Sequence, residues 1–435
     1  MEIQERNNVM PPNKKPVQII IENFGPIEKA DIELGDFTAI IGPNASGKTF
    51  IINLVDGLMT FASTTSMFII SSTVFRAVEE ILVKKENKRY PLSINMSEYS
   101  EDKINQVVDY VTEYINKLKN QQTFDLRNIY SQFFRYFQTD PKNLIRFGKD
   151  RANIIANFER MRINISISLD KGLSVDFQPD RDFLINYVKG FTAIFMGNGG
   201  GSYSSSFQFQ QLKSVLIPAE RLSVLVTMPN IIEDLAKSRG LQNLFPILPQ
   251  NKPNYVSKTS LIEFMSNYLG AIQFITRSKK EISKKASDLI MGNLILDFNL
   301  PYFVNFQLGE HNLPLHLISS GILQLIPMIV LAESDFNDVL LIEEPEINLH
   351  ANKQVEVAEY LWNLVKEKNK TVLVSTHSDY FVMKLAHLSK GNKSKILRVY
   401  LLNEGLTKPL HIDDNGEIEE IETIGEVINK LLLEI

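Results

Sequence analysis

Gly42-Pro43-Asn44-Ala45-Ser46-Gly47-Lys48-Thr49 stands between an apolar run, Phe37 to Ile41, and a helical-patterned run, Phe50 to Leu58. It reads G-x-x-x-x-G-K-T, with a strand to aim the loop and a helix to follow it, the context a phosphate-binding loop requires. Gly42 and Gly47 let the backbone turn and approach oxygen atoms closely, while Asn44, Ala45 and Ser46 complete the cradle ahead of the free N–H groups at the helix start. Lys48, read as a charge on an exposed loop, would contact the β- and γ-phosphates of a nucleotide. Thr49 would hold Mg²⁺ through its hydroxyl, an ion that keeps oxygen ligands and is usually shared between protein and phosphates. The plain alternative is an ordinary glycine-containing strand-to-helix turn.

Working outward, Val339-Leu340-Leu341-Ile342-Glu343-Glu344 is a continuous apolar run ending in two carboxylates. That is the pattern of a strand buried on both faces that delivers acids to the carboxyl edge of a sheet. Glu343 would hold Mg²⁺ directly or through water, and Glu344 would orient or deprotonate an attacking water. A further core strand, Thr371 to Val374, ends in Ser375-Thr376-His377-Ser378. His377 can hydrogen-bond a γ-phosphate there, or be a satisfied strand-end histidine. Ser319-Ser320-Gly321 ahead of an apolar helix is either an anion site or a simple N-cap.

With 435 residues, 44% of them hydrophobic, the chain can bury a large core and divide into two lobes. Cysteine is absent, which excludes a disulfide framework, a thiolate metal site and a cysteine nucleophile, and suits an intracellular protein. No signal peptide opens the chain, and no apolar run reaches the roughly 18 residues needed to span a bilayer. The expectation is a soluble, cytoplasmic protein without membrane insertion. A net charge of −5 argues against a surface that coats nucleic acid, while leaving room for a local basic face.

Residues 1–16 read as a flexible arm. Val17 to Glu22 and Lys29 to Leu34 read as strands joined through Asn23-Phe24-Gly25-Pro26, a hairpin that can contact the adenine side of a nucleotide or be plain sheet edge. Lys84, Lys85, Lys88 and Arg89 form a basic run, a solvated loop or a phosphate-backbone contact. Ile104 to Leu118 carries one apolar helix face. Ile163, Ile165, Ile167 and Leu169 alternate with polar residues as in a half-exposed strand, and Asp170-Lys171-Gly172 turns it into Leu173 to Phe177. Gly197 to Ser206 reads as a flexible surface loop. Val215 to Ile217 is a core strand ending in Pro218-Ala219-Glu220-Arg221, where the acid and arginine could face the nucleotide or pair with each other. Leu222 to Ile290 is helical and includes the basic cluster Arg277, Lys279, Lys280, Lys284 and Lys285. Strand patterns at 294–297 and 302–307 follow.

In order, GPNASGKT, ISSG, LLIEEPEINLH and VSTHSDYF resemble the ATPase core shared by ABC transporters, SMC and RecF proteins. The likeness is greatest to the ATPase domain of the OLD family and its anti-phage relatives, such as the Gabija and Septu ATPases, helped by IENFGPIEKADIEL and IPAER. It covers about 17–60 and 212–400. The resemblance implies an α/β P-loop NTPase fold of the ABC-ATPase type, with a mixed central sheet flanked by helices. On that basis 17–60 and 212–435 form the core, and 61–211 is an inserted, mainly helical lobe with a β-hairpin. It also implies ATP and Mg²⁺ as cofactors. Ser319 and Gly321 become the signature motif, contacting the γ-phosphate bound to the opposite subunit of a head-to-head homodimer with two composite sites.

Three departures stand out. Glu343 replaces the usual aspartate of the Mg²⁺ position, His350 sits where ABC proteins carry the D-loop aspartate, and none of Gln208, Gln210 and Gln211 can be singled out as the Q-loop. The C-terminal nuclease domain of OLD proteins has no counterpart in this sequence. The resulting expectation is an ATP-hydrolysing dimeric switch working on DNA or with a separately encoded nuclease, as in anti-phage defence. The alternatives are an ATPase subunit energising a membrane transporter, or a nucleotide-binding scaffold without turnover.

Overall fold

A computed structural model describes residues 17–84, 92–120, 136–137, 139–196, 200–205, 213–223, 225, 260–296, 304–335, 337–391 and 396–419. The arm 1–16, the basic run beyond Lys84, the glutamines Gln208, Gln210 and Gln211, and much of the span 222–290 lie outside the described residues. In chain order the strands are β1 (Val17–Phe24), β2 (Ile27–Leu34), β3 (Phe37–Ile41), β4 (Leu92–Asn95), β5 (Arg151–Phe158), β6 (Met161–Ser168), β7 (Gly172–Pro179), β8 (Phe191–Met196) and β9 (Gly200–Ser205). There follow β10 (Ser214–Ile217), β11 (Asn293–Leu296), β12 (Val304–Leu308), β13 (His311–Leu313), β14 (Val339–Glu343), β15 (Thr371–Thr376), β16 (Leu397–Asn403) and β17 (Leu406–Pro409).

Eleven strands make one mixed sheet in the order β10-β14-β15-β3-β16-β17-β2-β1-β5-β6-β7. From β10 to β16 its neighbours run parallel. Parallel strands are covered on both faces and so read as unbroken apolar runs. Phe37, Ala39 and Ile41 of β3 enter one core with Leu340 and Ile342 of β14, while Ile40 enters the other with Val339 and Leu341. The first core is closed by the helices Ser260–Ser278, Ser320–Glu333 and Ala351–Lys368. The second is closed by the helix Glu101–Asn120 and by the continuous helical segment Lys48–Lys84.

That segment runs for 37 residues through two π-helical turns, Phe61–Thr65 and Glu79–Lys84. Contrary to expectation, it is long and apolar enough to cross a membrane by length and composition. Asp56, Thr60 and Ser63 to Ser66 break the run in the sequence, but a helix needs only an apolar stripe to stay continuous. Here the stripe packs inside the protein: Ile51, Leu54, Leu58, Phe61, Ile70 and Val74 are fully buried.

Among the described residues the span 61–211 carries six strands beside its helices, more than the single β-hairpin expected. Its β5 pairs antiparallel with β1, and β6 and β7 follow, so they extend the main sheet. Period-two alternation identifies a strand but not its partner, and the partner, β1, is more than a hundred positions earlier. Ile163, Ile165 and Ile167 are buried together with Ile104 and Val107 of the helix Glu101–Asn120. Gly200 to Ser205, expected within a surface loop, pairs along β8, because a ladder satisfies backbone groups whatever the side chains. Residues 197–199 and Ser206 of that stretch lie outside the described residues.

The two halves of the large sheet meet at β17 and β2, which share the single pairing Leu406 with Lys29. Other bonds cross this line. The Gly405 carbonyl accepts from the amides of Glu28 (2.8 Å) and Lys29 (3.0 Å). The Asp31 amide donates to Thr407 Oγ1 (3.0 Å), the Glu33 amide to Tyr400 Oη (2.9 Å), and Arg398 pairs with the Glu33 carboxylate (2.7 Å).

Candidate functional site

Because β10, β14, β15 and β3 are parallel, their carboxyl ends reach one edge of the sheet. β3 leads into the loop Gly42 to Gly47, β14 into Glu343 and Glu344, β15 into Thr376 and His377, and β10 into Pro218 and Ala219. β15 lies between β3 and β14, so the acid strand is one strand removed from the loop strand.

The loop conformation explains its glycines. A Cβ on Gly42 would lie 2.1 Å from the Leu402 carbonyl oxygen on β16, closer than any side chain can come. Gly47 adopts φ 110, and a Cβ there would also meet Ile27 at 2.6 Å and Pro26 at 2.8 Å. Asn44 and Ala45 are exposed, Ala45 with φ 59, and Ser46 is buried. Gly47 caps the following helix without a side-chain hydrogen bond, so the first-turn amides remain donors for an anion.

Lys48 is not the exposed charge expected. It is 5% exposed, with Nζ folded into its own loop, donating to the carbonyls of Gly42 (2.9 Å) and Pro43 (2.8 Å). The loop is short enough for the side chain to reach back across it. Burial lowers the Lys48 ammonium to about 8, opposed by the carboxylates of Glu344 and Glu346.

Thr49 is exposed at the helix start. Glu343 is 6% exposed; its Oε2 accepts from the Ala219 amide at 3.3 Å, and its Oε1 has no hydrogen-bond partner. Burial pushes the Glu343 carboxyl up to about 7, against the opposing influence of the Ala219 amide and the nearby Thr49 hydroxyl. An orphaned buried carboxylate oxygen near a hydroxyl fits Mg²⁺, which takes oxygen donors and keeps much of its shell for water and phosphate. Among the described residues no group of three or more His, Cys, Asp or Glu is placed to hold a metal by itself. Such an ion would be shared with the ligand.

Glu344 takes the left-handed φ of 43, which costs a non-glycine residue about 1 kcal/mol. Its Oε1 lies 3.5 Å from His377 Nε2, and the His377 ring holds the Glu344 carboxyl below its ordinary range, helped by Lys48 and Arg221. A base that stays ionised beside an imidazole is placed to take a proton from water or to orient it.

Two residues have roles that the sequence reading missed. Arg221 neither faces the nucleotide nor pairs with Glu220. It is fully buried, donating to the carbonyls of Gln324 (2.9 Å), Glu343 (2.9 Å), Glu344 (3.1 Å), Pro218 (3.2 Å) and Pro345 (3.4 Å). Burial lowers it to about 10, and the surrounding carboxylates of Glu346, Glu344 and Glu343 offset part of that. Its hydrogen bonds hold the backbone on both sides of Glu344 in the strained turn. Glu346 is 7% exposed; it accepts from the His377 amide at 2.7 Å and has its other oxygen unpartnered. Burial raises its carboxyl. The spacing of a second acid two places after Glu344 was the available signal.

Ser319 is exposed and caps the helix Ser320–Glu333 by accepting from the Ile322 amide at 3.5 Å. Gly321 abuts the turn after β14, where a Cβ would lie 3.0 Å from the Asn348 carbonyl. Among the described residues no hydrogen bond links Ser319 to the phosphate loop. His350 is exposed at the cap position of the helix Ala351–Lys368 and makes no side-chain cap bond. In the basic cluster Lys280 pairs with Asp335 at 2.6 Å and Lys285 with Glu367.

No curated protein matches this sequence. Among solved structures, an SMC head bound to the C-winged helix domain of ScpA is similar at 13% identity and TM-score 0.41, covering 94% of this chain and 98% of that one. The SMC head domain from Thermotoga maritima is similar at 13% identity and TM-score 0.39, covering 91% and 98%. RecF, a recombination mediator protein, is similar at 11% identity and TM-score 0.34, covering 92% and 99%. The family model of the AAA ATPase domain matches residues 17–184 and 226–382, more than half of the chain and both sides of the phosphate-loop edge, and the chain belongs to that family.

Proposed function

We propose that the chain is an ATP-hydrolysing switch that works as a head-to-head homodimer with two composite sites. The observation that carries this reading is the division of the machinery. Lys48, Thr49, Glu343, Glu344 and His377 share one sheet edge, while Ser319 and Gly321 lie on a separate helix start whose hydroxyl is exposed. Lys48 and the loop amides bind the phosphates, Glu344 positions and deprotonates the water, and His377 orients Glu344 and bonds the γ-phosphate. Held by Thr49 and Glu343, Mg²⁺ would neutralise phosphate charge. In-line phosphoryl transfer needs mainly such positioning and charge stabilisation.

Likeness of the motifs to OLD-type proteins supports a role beside DNA or a separately encoded nuclease, as in anti-phage defence. The basic cluster is a modest support for direct DNA contact, because Lys280 and Lys285 are already engaged by carboxylates.

Complementation tests the composite site. Lys48→Ala and Ser319→Arg proteins should each lack ATPase activity, and their mixture should recover part of it through one intact site per heterodimer. Verified heterodimers with no recovery would place the whole site within one chain.

A further inference from the structure

Beside the phosphate loop lies a cleft of about 400 Å³, lined by Pro43 to Ser46 and by Pro26, Arg146, Glu404 and Gly405. Its outer wall is assembled from three distant parts of the chain: the β1–β2 turn, the β16–β17 turn and the residues just before β5. The volume falls within the ~300–1,000 Å³ of small-molecule sites, and the wall continues the surface that the loop presents to phosphates.

Arg146 is the cation of this wall. Its Nη1 donates to the Pro26 carbonyl, and its Nη2 lies 3.3 Å from the Glu28 carboxylate, with the side chain 27% exposed. Gly405 makes room for it: at φ 81, a Cβ there would lie 2.8 Å from Arg146 Nη1 and 2.6 Å from the Pro26 oxygen. The edge of the guanidinium is thus engaged and its charge is paired with Glu28. What it retains for a ligand is its planar face, which is weakly hydrated and stacks on aromatic rings. Among the described residues no aromatic one lines the cleft, so the Arg146 plane and the Pro26 and Pro43 rings are the flat surfaces they offer to a base.

We propose that this cleft is the nucleoside subsite, in which a purine base stacks on the Arg146 guanidinium and the Glu404 carboxylate accepts a hydrogen bond from a ribose hydroxyl. This rests on the ATP reading above. Arg146 thereby becomes the residue that distinguishes a nucleotide from a bare polyphosphate, while Lys48 serves the phosphates of both.

Titration calorimetry of the full chain with Mg²⁺ and either ATP or inorganic tripolyphosphate separates the two roles. Lys48→Ala should weaken both ligands. Arg146→Ala should weaken ATP roughly tenfold, the scale of a lost cation–ring contact, and leave tripolyphosphate unchanged, which also shows that the variant is folded. Arg146→Lys keeps the charge without the plane and should behave like Arg146→Ala. Glu404→Ala should reduce the preference for ATP over 2′,3′-dideoxy-ATP. Equal losses of ATP and tripolyphosphate in both Arg146 variants would make Arg146 a phosphate contact and overturn the proposal, as would unchanged ATP affinity. An undiminished preference for the ribose hydroxyls would remove Glu404. If the wild-type chain binds neither ligand, the ATP reading itself falls.

Discussion

Glu343→Gln offers a test in which stability and ligand binding move in opposite directions. Burial raises the Glu343 carboxyl from 4.5 to about 7, and a rise of that size corresponds to about 3 kcal/mol of disfavoured ionisation in the folded state. Below pH 4.5 the group is neutral folded or unfolded, and no penalty exists. Between pH 4.5 and about 7 the unfolded chain releases the proton while the folded protein retains it, so the contribution to stability is lost progressively as pH rises to about 7. Glutamine cannot ionise, but its buried amide costs about 1 kcal/mol if left without an acceptor. The variant should therefore gain about 2 kcal/mol over wild type at pH 8, and the gain should vanish near pH 5. Thermal unfolding in a chelator at the two pH values reads this as a Tm higher by a few degrees at pH 8 only. With Mg²⁺ and ATP the order should reverse, because wild type gains ligand stabilisation that the variant lacks. A variant no more stable than wild type at pH 8 would refute the claim that Glu343 is held at an energetic cost.

Three further outcomes follow from the same edge. Lys48→Ala should abolish ATP binding in calorimetry, while circular dichroism stays native, since the lost Nζ bonds go to two carbonyls of the same short loop and to no other element. Glu344→Gln should still bind ATP but turn over about 10²-fold more slowly, the usual scale for a lost general base, and should accumulate as an ATP-bound dimer in light scattering; normal turnover would move the base elsewhere. Arg221→Met leaves the carbonyls of Pro218, Gln324, Glu343, Glu344 and Pro345 without their donor, four of them buried. At about 1 kcal/mol for each of the four buried groups, the Glu344 carbonyl being only part-buried, it should lower stability in urea titration by about 4 kcal/mol, and a loss under 1 kcal/mol would contradict the hydrogen bonding described.

The sequence was legible where its signals are local. The phosphate loop, the acid strand and the strand before His377 each show their motif, their apolar run and their neighbours within about ten residues, and the parallel sheet follows because both faces of β3 and β14 are apolar. Long-range pairing was not legible. The alternation of Ile163, Ile165 and Ile167 reveals β6, but no residue in it says that β5 will pair with β1. Arg221 was misread for a similar reason. An arginine beside a glutamate suggests an ion pair, whereas its actual partners are carbonyls from its own turn and from two other segments, and a carbonyl leaves no trace in a sequence. Arg146, close to Pro26 in space and far from it in the chain, was invisible on the same grounds.

The line where β17 meets β2 divides the large sheet into two plates joined by one residue pairing, two backbone hydrogen bonds to the Gly405 carbonyl and a few side-chain stitches. Amides along this crease, such as those of Asp31 and Glu33, depend on hydroxyl acceptors instead of a ladder, so they should exchange hydrogen for deuterium sooner than the amides of β3 or β14. Pro26 stands on one plate and Gly405 on the other, at the mouth of the cleft beside the phosphate loop. A molecule lodged there would touch both, and act as a rivet across this sparsely paired line of the sheet.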